Sequence, residues 1–357
     1  MTETMRGVFL PGNSTAEVRE YPIPVPGPGQ LVIKMGASGI CGSDIGYIYH
    51  EYKTHKGLDG KPAYHGVIAG HEPSGRVVKQ GSGCVRFAEG DRVIIYHIVG
   101  CGRCPNCRSG HFISCSDPER REAYGWQRDG GHADYVLVEE STCIPLPEPL
   151  TYEDGALIAC GFGTAYEGLK RTAMRGGEDL LVVGLGPVGM AAATIGRLLG
   201  ARRIIGVERG AERTAFVEST GLVDQVVPAD ENAADVVLDL TNGVGCAVAV
   251  DCSGAAAGRS TALNAAAEWG RVSLLGEGGR LETEVSDVLL HKQLTVFASW
   301  VTSLQGMEEL TWKLQAESVH PDRVVSHRLP LAEADAAYAL AASGAAGKVV
   351  LVPEERP

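Results

Sequence analysis

The chain is 357 residues long, more than one hydrophobic core usually organises, so two domains are expected. Hydrophobic residues make up 44% and charged residues 21%, a globular composition and not a disordered one. A net charge of −12 repels a phosphate backbone, so nucleic acid is not an expected partner.

The N-terminal MTETMRGVFL lacks a basic stretch followed by a long apolar one and does not read as a secretory signal. The longest uncharged run, Leu180 to Gly196, is interrupted by Pro187 and rich in glycine, whereas a membrane span needs about twenty mostly apolar residues. No membrane partner is expected, and ten cysteines without an export signal are expected to stay thiols in the cytoplasm.

The first half reads as β structure. QLVIKM (30–35), GRVVKQG (75–81), DRVIIYH (91–97) and ADYVLV (133–138) alternate or run apolar between Gly, Pro and Asp clusters, giving a compact sheet or barrel with long loops. YPIPVPGPG (21–29) is too rich in proline for a helix and reads as a surface connection. The loops carry the chemistry. SGICGSD (38–44) and AGHEPSG (69–75) hold Cys41 and His71, and IACGFGTAY (158–166) adds Cys160. Together these would make three ligands with a fourth position open, the catalytic pattern for Zn²⁺, although spacing alone does not separate them from isolated core residues.

CGRCPNCRSGHFISC (101–115) is a stronger signal. Cys101, Cys104, Cys107 and Cys115 have intervals that let one loop wrap a tetrahedral Zn²⁺, and four sulfur ligands leave no open position, so this site is structural. Cys84, Cys143, Cys246 and Cys252 sit among apolar residues and read as small core residues.

Near Leu150 the pattern changes. EDLLVVGLG (178–186) reads as a buried strand, PVGMAAATIGRLLGA (187–201) as a helix, RRIIGVE (202–208) as a strand and GAERTAFVEST (210–220) as a helix. CAVAVDCSG, GRVSLLGEG and KQLTVFASW follow as strands, so a parallel sheet wound on both faces is expected. GLGPVG places Gly184, Gly186, Pro187, Val188 and Gly189 between an apolar strand and a helix, where small residues admit a pyrophosphate to free N–H groups. Glu208 ends the next strand nineteen residues after Gly189. A carboxylate there accepts from ribose hydroxyls and repels a 2′-phosphate, which favours NAD over NADP, while the adjacent Arg209 could accept that phosphate. LQGMEELTWKLQ and LAEADAAYALAAS read as closing helices and GKVVLVP as the last strand.

The ordered set CGSD, GHE, four-cysteine loop, DGGHADY (129–135), ACGFGTAY, GLGPVG and GKVVLVP resembles the zinc-dependent medium-chain dehydrogenase/reductase family, the alcohol and polyol dehydrogenases, over nearly the whole chain. The resemblance implies an α/β protein with a GroES-like β-rich catalytic domain at 1–153, a doubly wound Rossmann NAD-binding domain at 154–299 and a return to the catalytic domain at 300–357. The active site would lie in the cleft between the domains. It implies two Zn²⁺ per chain, with Cys41, His71 and Cys160 as ligands of the catalytic ion and Glu72 as a transient ligand beside it. It further implies Ser43 as the hydroxyl that takes the alcohol proton, Thr164 at the nicotinamide and Lys348 at the pyrophosphate. Where many relatives continue the proton relay to a histidine, this chain has Gly46, leaving His50 or water as acceptor. Cys160 follows the alcohol dehydrogenase pattern, since sorbitol-type members tend to have glutamate there.

The expected activity is hydride transfer between NAD(H) and a secondary alcohol or ketone. Tyr47, Tyr49, His50, Tyr52, His55, Lys56, Asp59 and Lys61 make the loop running from Tyr47 to Tyr64 polar, and with Trp300 beyond the last Rossmann strand they suggest a polyol, sugar or cyclitol. The alternatives are a simple primary alcohol or aldehyde as substrate, or a non-catalytic protein that binds NAD and zinc. A homodimer or homotetramer is the assembly that the resemblance implies.

Overall fold

The computed structural model describes residues 3–54, 62–344 and 347–354. The chain divides into two compact units, Met1–Cys160 with Thr302–Gly344 and Lys348–Pro357, and Gly161–Val301 with Ala345–Gly347.

The first unit is built on a seven-stranded sheet. Its order runs Val325–Pro330, Lys348–Val352, Gln30–Gly39, Glu72–Gln80, Arg92–Ile95 and Cys143–Pro145, and Tyr135–Glu139 also pairs with Gln30–Gly39. Leu31, Ile33, Val77, Val93, Ile95, Val136 and Val138 form one buried cluster, the inward set that period-two alternation predicts. The strand read from GRVVKQG begins earlier, at Glu72, and its antiparallel register sets Glu72 opposite Gly39. This pairing brings the GHE and CGSD loops to the same end of two neighbouring strands.

The second unit is a six-stranded parallel sheet in the order Gln225–Pro228, Arg203–Glu208, Asp179–Val183, Cys246–Asp251, Ala266–Leu274 and Thr295–Ala298. Numbered within the unit, that is 3-2-1-4-5-6, with the glycine-rich turn after the central first strand. The short strand Gln225–Pro228 and the helices Ala233–Leu240 and Ala256–Asn264 are additional to the elements read from sequence. Four residues are too few to show a period.

The unit boundaries differ from the expected ones. The first lies between Cys160 and Gly161 instead of 153 and 154, because the helix Tyr152–Leu157 packs on strands Gln30–Gly39 and Glu72–Gln80 of the first unit. The return begins at Thr302 instead of 300. No helix among the described residues is long and apolar enough to cross a membrane.

Candidate metal and cofactor sites

Strand Gln30–Gly39 runs into Cys41, which sits at the N-terminus of a single helical turn, Gly42–Asp44. His71 and Glu72 open the neighbouring strand, and Cys160 comes from the turn after helix Tyr152–Leu157. One ligand atom from each of Cys41, His71, Glu72 and Cys160 lies within 4.8 Å of all the others. Sequence distance hides this cluster because it is assembled by register.

Asp44 organises it. Its fully buried carboxylate accepts from the Cys41 backbone N–H at 3.0 Å and from His71 Nδ1 at 2.8 Å, which leaves Nε2 as the lone-pair nitrogen. Burial opposes the imidazolium, but Asp44 and Cys41 outweigh it and hold His71 well above its ordinary pKa. The hydrogen bond from Cys160 keeps the Cys41 thiol well below its ordinary value, and the same bond pushes Cys160 up. Glu72 is pushed up to about 7 by burial, opposed by the Lys348 ammonium at 2.5 Å. Glu72 Oε1 is buried and has no hydrogen-bond partner among the described residues.

Two thiolates and a carboxylate crowded together repel one another unless a cation neutralises them. The donor set fits Zn²⁺, which takes S and N ligands in tetrahedral sites. Gly39 is part of this fit: a Cβ there would collide with Glu72 Oε2 and Lys348 Cε.

Lys348, expected at the pyrophosphate, is 3% exposed and ion-paired with Glu72 in the first unit. Ser43 is half-buried beside Asp44. His50, exposed, is engaged by the Ser14 hydroxyl at 2.8 Å, and a Cβ on Gly46 would meet no neighbour within 4 Å. The polar loop is less available than its sequence suggests. Tyr49 is buried and stacks on Tyr338, while the Tyr52 and Tyr64 hydroxyls donate to the carbonyls of Leu10 and Val67. Tyr47 packs against Trp126 at 5.7 Å. His55, Lys56, Asp59 and Lys61 lie outside the described residues. Trp300 is 48% exposed in the second unit.

Sequence reasoning did not assign roles to Asp44, His97 or Trp126. Asp44 lay inside the quoted CGSD motif. His97 is buried with its ring 5.2 Å from His71, donates from Nδ1 to the Ala159 carbonyl over 3.0 Å, and is pushed down to about 3 by burial, so it is neutral.

Cys101, Cys104, Cys107 and Cys115 also bring their sulfurs within 4.8 Å of one another, and none is in a disulfide. Backbone N–H groups of Cys101, Cys104 and Cys107 point at the sulfurs of Cys115, Cys101 and Cys104 over 3.3, 3.3 and 3.4 Å. Backbone hydrogen bonds from Ser116 and Cys107 push Cys104 down to about 5, whereas burial pushes Cys107 up to about 12. A Cβ on Gly100 would come within 2.6 Å of Cys107 Sγ. The loop is shaped around the sulfurs and fits a closed Zn²⁺ site.

A third cluster, Asp154, His320 and Asp322, does not need an ion. Asp154 accepts from Thr151 N–H, His320 Nδ1 and Asp322 N–H at 2.9, 2.8 and 2.8 Å, so it caps its helix and ties down the segment around His320.

In the second unit Gly184 has φ +85°, and a Cβ on Gly189 would collide with the Gly184 carbonyl. Gly186 precedes helix Pro187–Leu198, which begins with Pro187 and Val188. This is the tight turn onto a helix N-terminus that a pyrophosphate uses. Glu208 is 8% exposed, and its carboxylate accepts from the N–H groups of Leu185, Arg209 and Gly210 at 2.9, 2.9 and 3.0 Å. Arg213 Nη1 lies 4.0 Å from it. Arg209 is exposed, and Thr164 is buried on helix Gly163–Arg171.

Residues 27–148 match the family model of the alcohol dehydrogenase GroES-like domain, and residues 187–317 match that of the zinc-binding dehydrogenase. The chain is 51% identical to an uncharacterised zinc-type alcohol dehydrogenase-like protein, YphC, of Escherichia coli strain K12, over 98% of this chain and 99% of that protein. It is 30% identical to a sorbitol dehydrogenase of Halalkalibacterium halodurans, over 96% and 97%. A protein described as a zinc-binding dehydrogenase from Sinorhizobium meliloti 1021, solved bound to NADP, superposes with a TM-score of 0.84 at 29% identity, over 98% of this chain and 100% of that one.

Proposed function

The chain belongs to the zinc-type alcohol dehydrogenase family, the zinc-dependent medium-chain dehydrogenases/reductases, and from that premise we propose an NAD-dependent dehydrogenase of a secondary alcohol with several hydroxyls, a polyol, sugar or cyclitol. The observation that carries an enzymatic reading is the convergence of Cys41, His71 and Cys160, with Glu72 in the same cluster; with Glu72 ligating only transiently, the other three would leave a fourth position for a substrate oxygen. When bound, a Zn²⁺ supplies Lewis acidity there and a nicotinamide supplies the hydride acceptor.

The chain's own groups do the rest. Asp44 holds His71 in the tautomer that presents Nε2. Lys348 pairs with Glu72 beside the three ligands, where the carboxylate serves during ligand exchange. The Ser43 hydroxyl takes the alcohol proton. Beyond Ser43 the proton passes to water, since Gly46 has no side chain and His50 is bonded to Ser14. Cys101, Cys104, Cys107 and Cys115 hold a second, structural Zn²⁺. Ten free cysteines suit a reducing compartment, the cytoplasm, and the assembly is a homodimer or homotetramer.

Glu208 supports NAD over NADP. Its carboxylate is fixed by three backbone N–H groups, and a 2′-phosphate placed about 4 Å away costs roughly 1 to 4 kcal/mol. Arg209 and Arg213 reduce that cost. Glu208→Ala is expected to narrow the NAD/NADP ratio of kcat/KM by about tenfold, equivalent to about 1.4 kcal/mol. An unchanged ratio removes Glu208 from cofactor selection.

The test of the function is NADH formation at 340 nm by zinc-replete protein with polyols, cyclitols, sugars and simple alcohols, each with NAD⁺ and NADP⁺. Turnover concentrated on vicinal polyhydroxy substrates with NAD⁺ is expected. The burial of Tyr49 and Tyr64, and the engagement of the Tyr52 and Tyr64 hydroxyls by backbone carbonyls, favour a second reading, a simple primary alcohol or aldehyde, which preferential turnover of ethanol-like substrates would establish. Bound NAD and zinc with no turnover in either direction would favour a non-catalytic binding protein.

A further inference from the structure

We infer that Trp126 is a positioning residue for the metal centre, its indole N–H completing the hydrogen bonding of Asp44 and thereby fixing His71. The inference rests on Cys41, His71 and Cys160 being metal ligands, and its test separates the two.

What brings Trp126 to the site is a packing of glycines. Gly70, immediately before His71, has φ +94°, and Gly125, immediately before Trp126, has φ +81°. A Cβ on Gly125 would come within 2.6 Å of the Gly70 backbone, and one on Gly130 would collide with the Gly70 carbonyl. Only glycine at these places lets the two loops interlock. Trp126 is then held at two points: its backbone carbonyl accepts from His65 N–H at 2.8 Å, and its indole ring packs on Tyr47.

Trp126 Nε1 lies 3.3 Å from Asp44 Oδ1 and 3.3 Å from His71 Nδ1. An indole nitrogen is a donor only. With His71 ligating through Nε2, its Nδ1 carries the proton that goes to Asp44 and has no lone pair to offer, so the indole N–H goes to Asp44 Oδ1. Asp44 then receives three donors, Cys41 N–H on Oδ2 and His71 and Trp126 on Oδ1. The third donor does two things. It stops the carboxylate from rotating about its bond to Cβ, and it draws charge from Oδ1, which keeps the proton on the imidazole so that His71 binds as a neutral ligand. The His71 ring meets the indole edge-on, with centroids 6.0 Å apart and planes at 81°, so the same residue limits tilting of the ligand ring. Partners of a metal-bound histidine commonly change metal affinity 10- to 100-fold when removed.

The experiment is zinc release to a chromogenic chelator from wild-type, Trp126→Phe and Trp126→Ala proteins, with Cys41→Ser marking the phase that belongs to the four-cysteine loop. Phenylalanine keeps the ring and its packing and removes only the N–H. Trp126→Phe is expected to release the zinc of the three-ligand site at least about tenfold faster with an unchanged Tm, and its Co²⁺-substituted form to show a shifted d–d band. If Trp126→Phe releases zinc as the wild type does while Trp126→Ala releases it faster, the residue acts through packing alone and the inference is overturned. If the wild type holds zinc only in the phase that Cys41→Ser retains, the metal reading itself falls and the inference falls with it.

Discussion

Cys41→Ser is expected to leave one zinc per chain instead of two and to lower kcat/KM by at least about 10³-fold, roughly 4 kcal/mol of transition-state stabilisation. A serine hydroxyl is a poor ligand for Zn²⁺, and it also loses the hydrogen bond with Cys160 that lowers the Cys41 thiol from its ordinary value. The four-cysteine loop draws on none of these residues, so its zinc and the thermal transition should survive the change. Metal content by atomic emission and the 340 nm assay decide it, and full turnover with one zinc would reassign the reaction to a metal-independent class.

Cys107→Ser acts on stability. Cys107 is the least exposed of the four residues, and its sulfur lies against Gly100 and 3.9 Å from the Cys101 sulfur. Zinc binding at a closed site is folding free energy, because the unfolded chain holds no such site. Losing one of four ligands is expected to cost about 4 kcal/mol and lower Tm by about 10 °C, with excess chelator bringing the wild type down to the same value. The mirror image of the first variant is expected in function: an enzyme that retains its other zinc and whose turnover, at temperatures below the transition, falls much less. An unchanged Tm would mean that the loop is held by its N–H to sulfur bonds alone.

The two sites were unequally legible in sequence, for a physical reason. The four-cysteine loop closes on itself within fifteen residues, so its spacing carries its geometry. The same holds for the glycine-rich turn, where strand, turn and helix follow one another and Glu208 lies one crossover away. Cys41, His71 and Cys160 are far apart in the chain, and residue spacing left them as one possibility among several until the ordered family motifs were weighed. Asp44 was inside a quoted motif but silent, since nothing local says that its carboxylate turns to a histidine 27 residues later. Trp126 left no signal beyond the glycine before it. Lys348 looked like one solvated lysine in a strand or a pyrophosphate ligand, and it became the partner of Glu72 only when the last strand paired beside Gln30–Gly39.

The sequence by itself determined the class of the protein: a β-rich unit interrupted by a parallel α/β unit, a loop that gathers four sulfurs, a dinucleotide turn and a net negative charge. These rest on local periodicity and short loops, which the chain carries wherever it folds. The tertiary structure alone decided where the units divide, which tyrosines of the polar loop are spent on backbone carbonyls, and how His71 is held. Those depend on strand register and on glycines that let distant backbones touch, and neither register nor contact across a hundred residues is written in any local pattern.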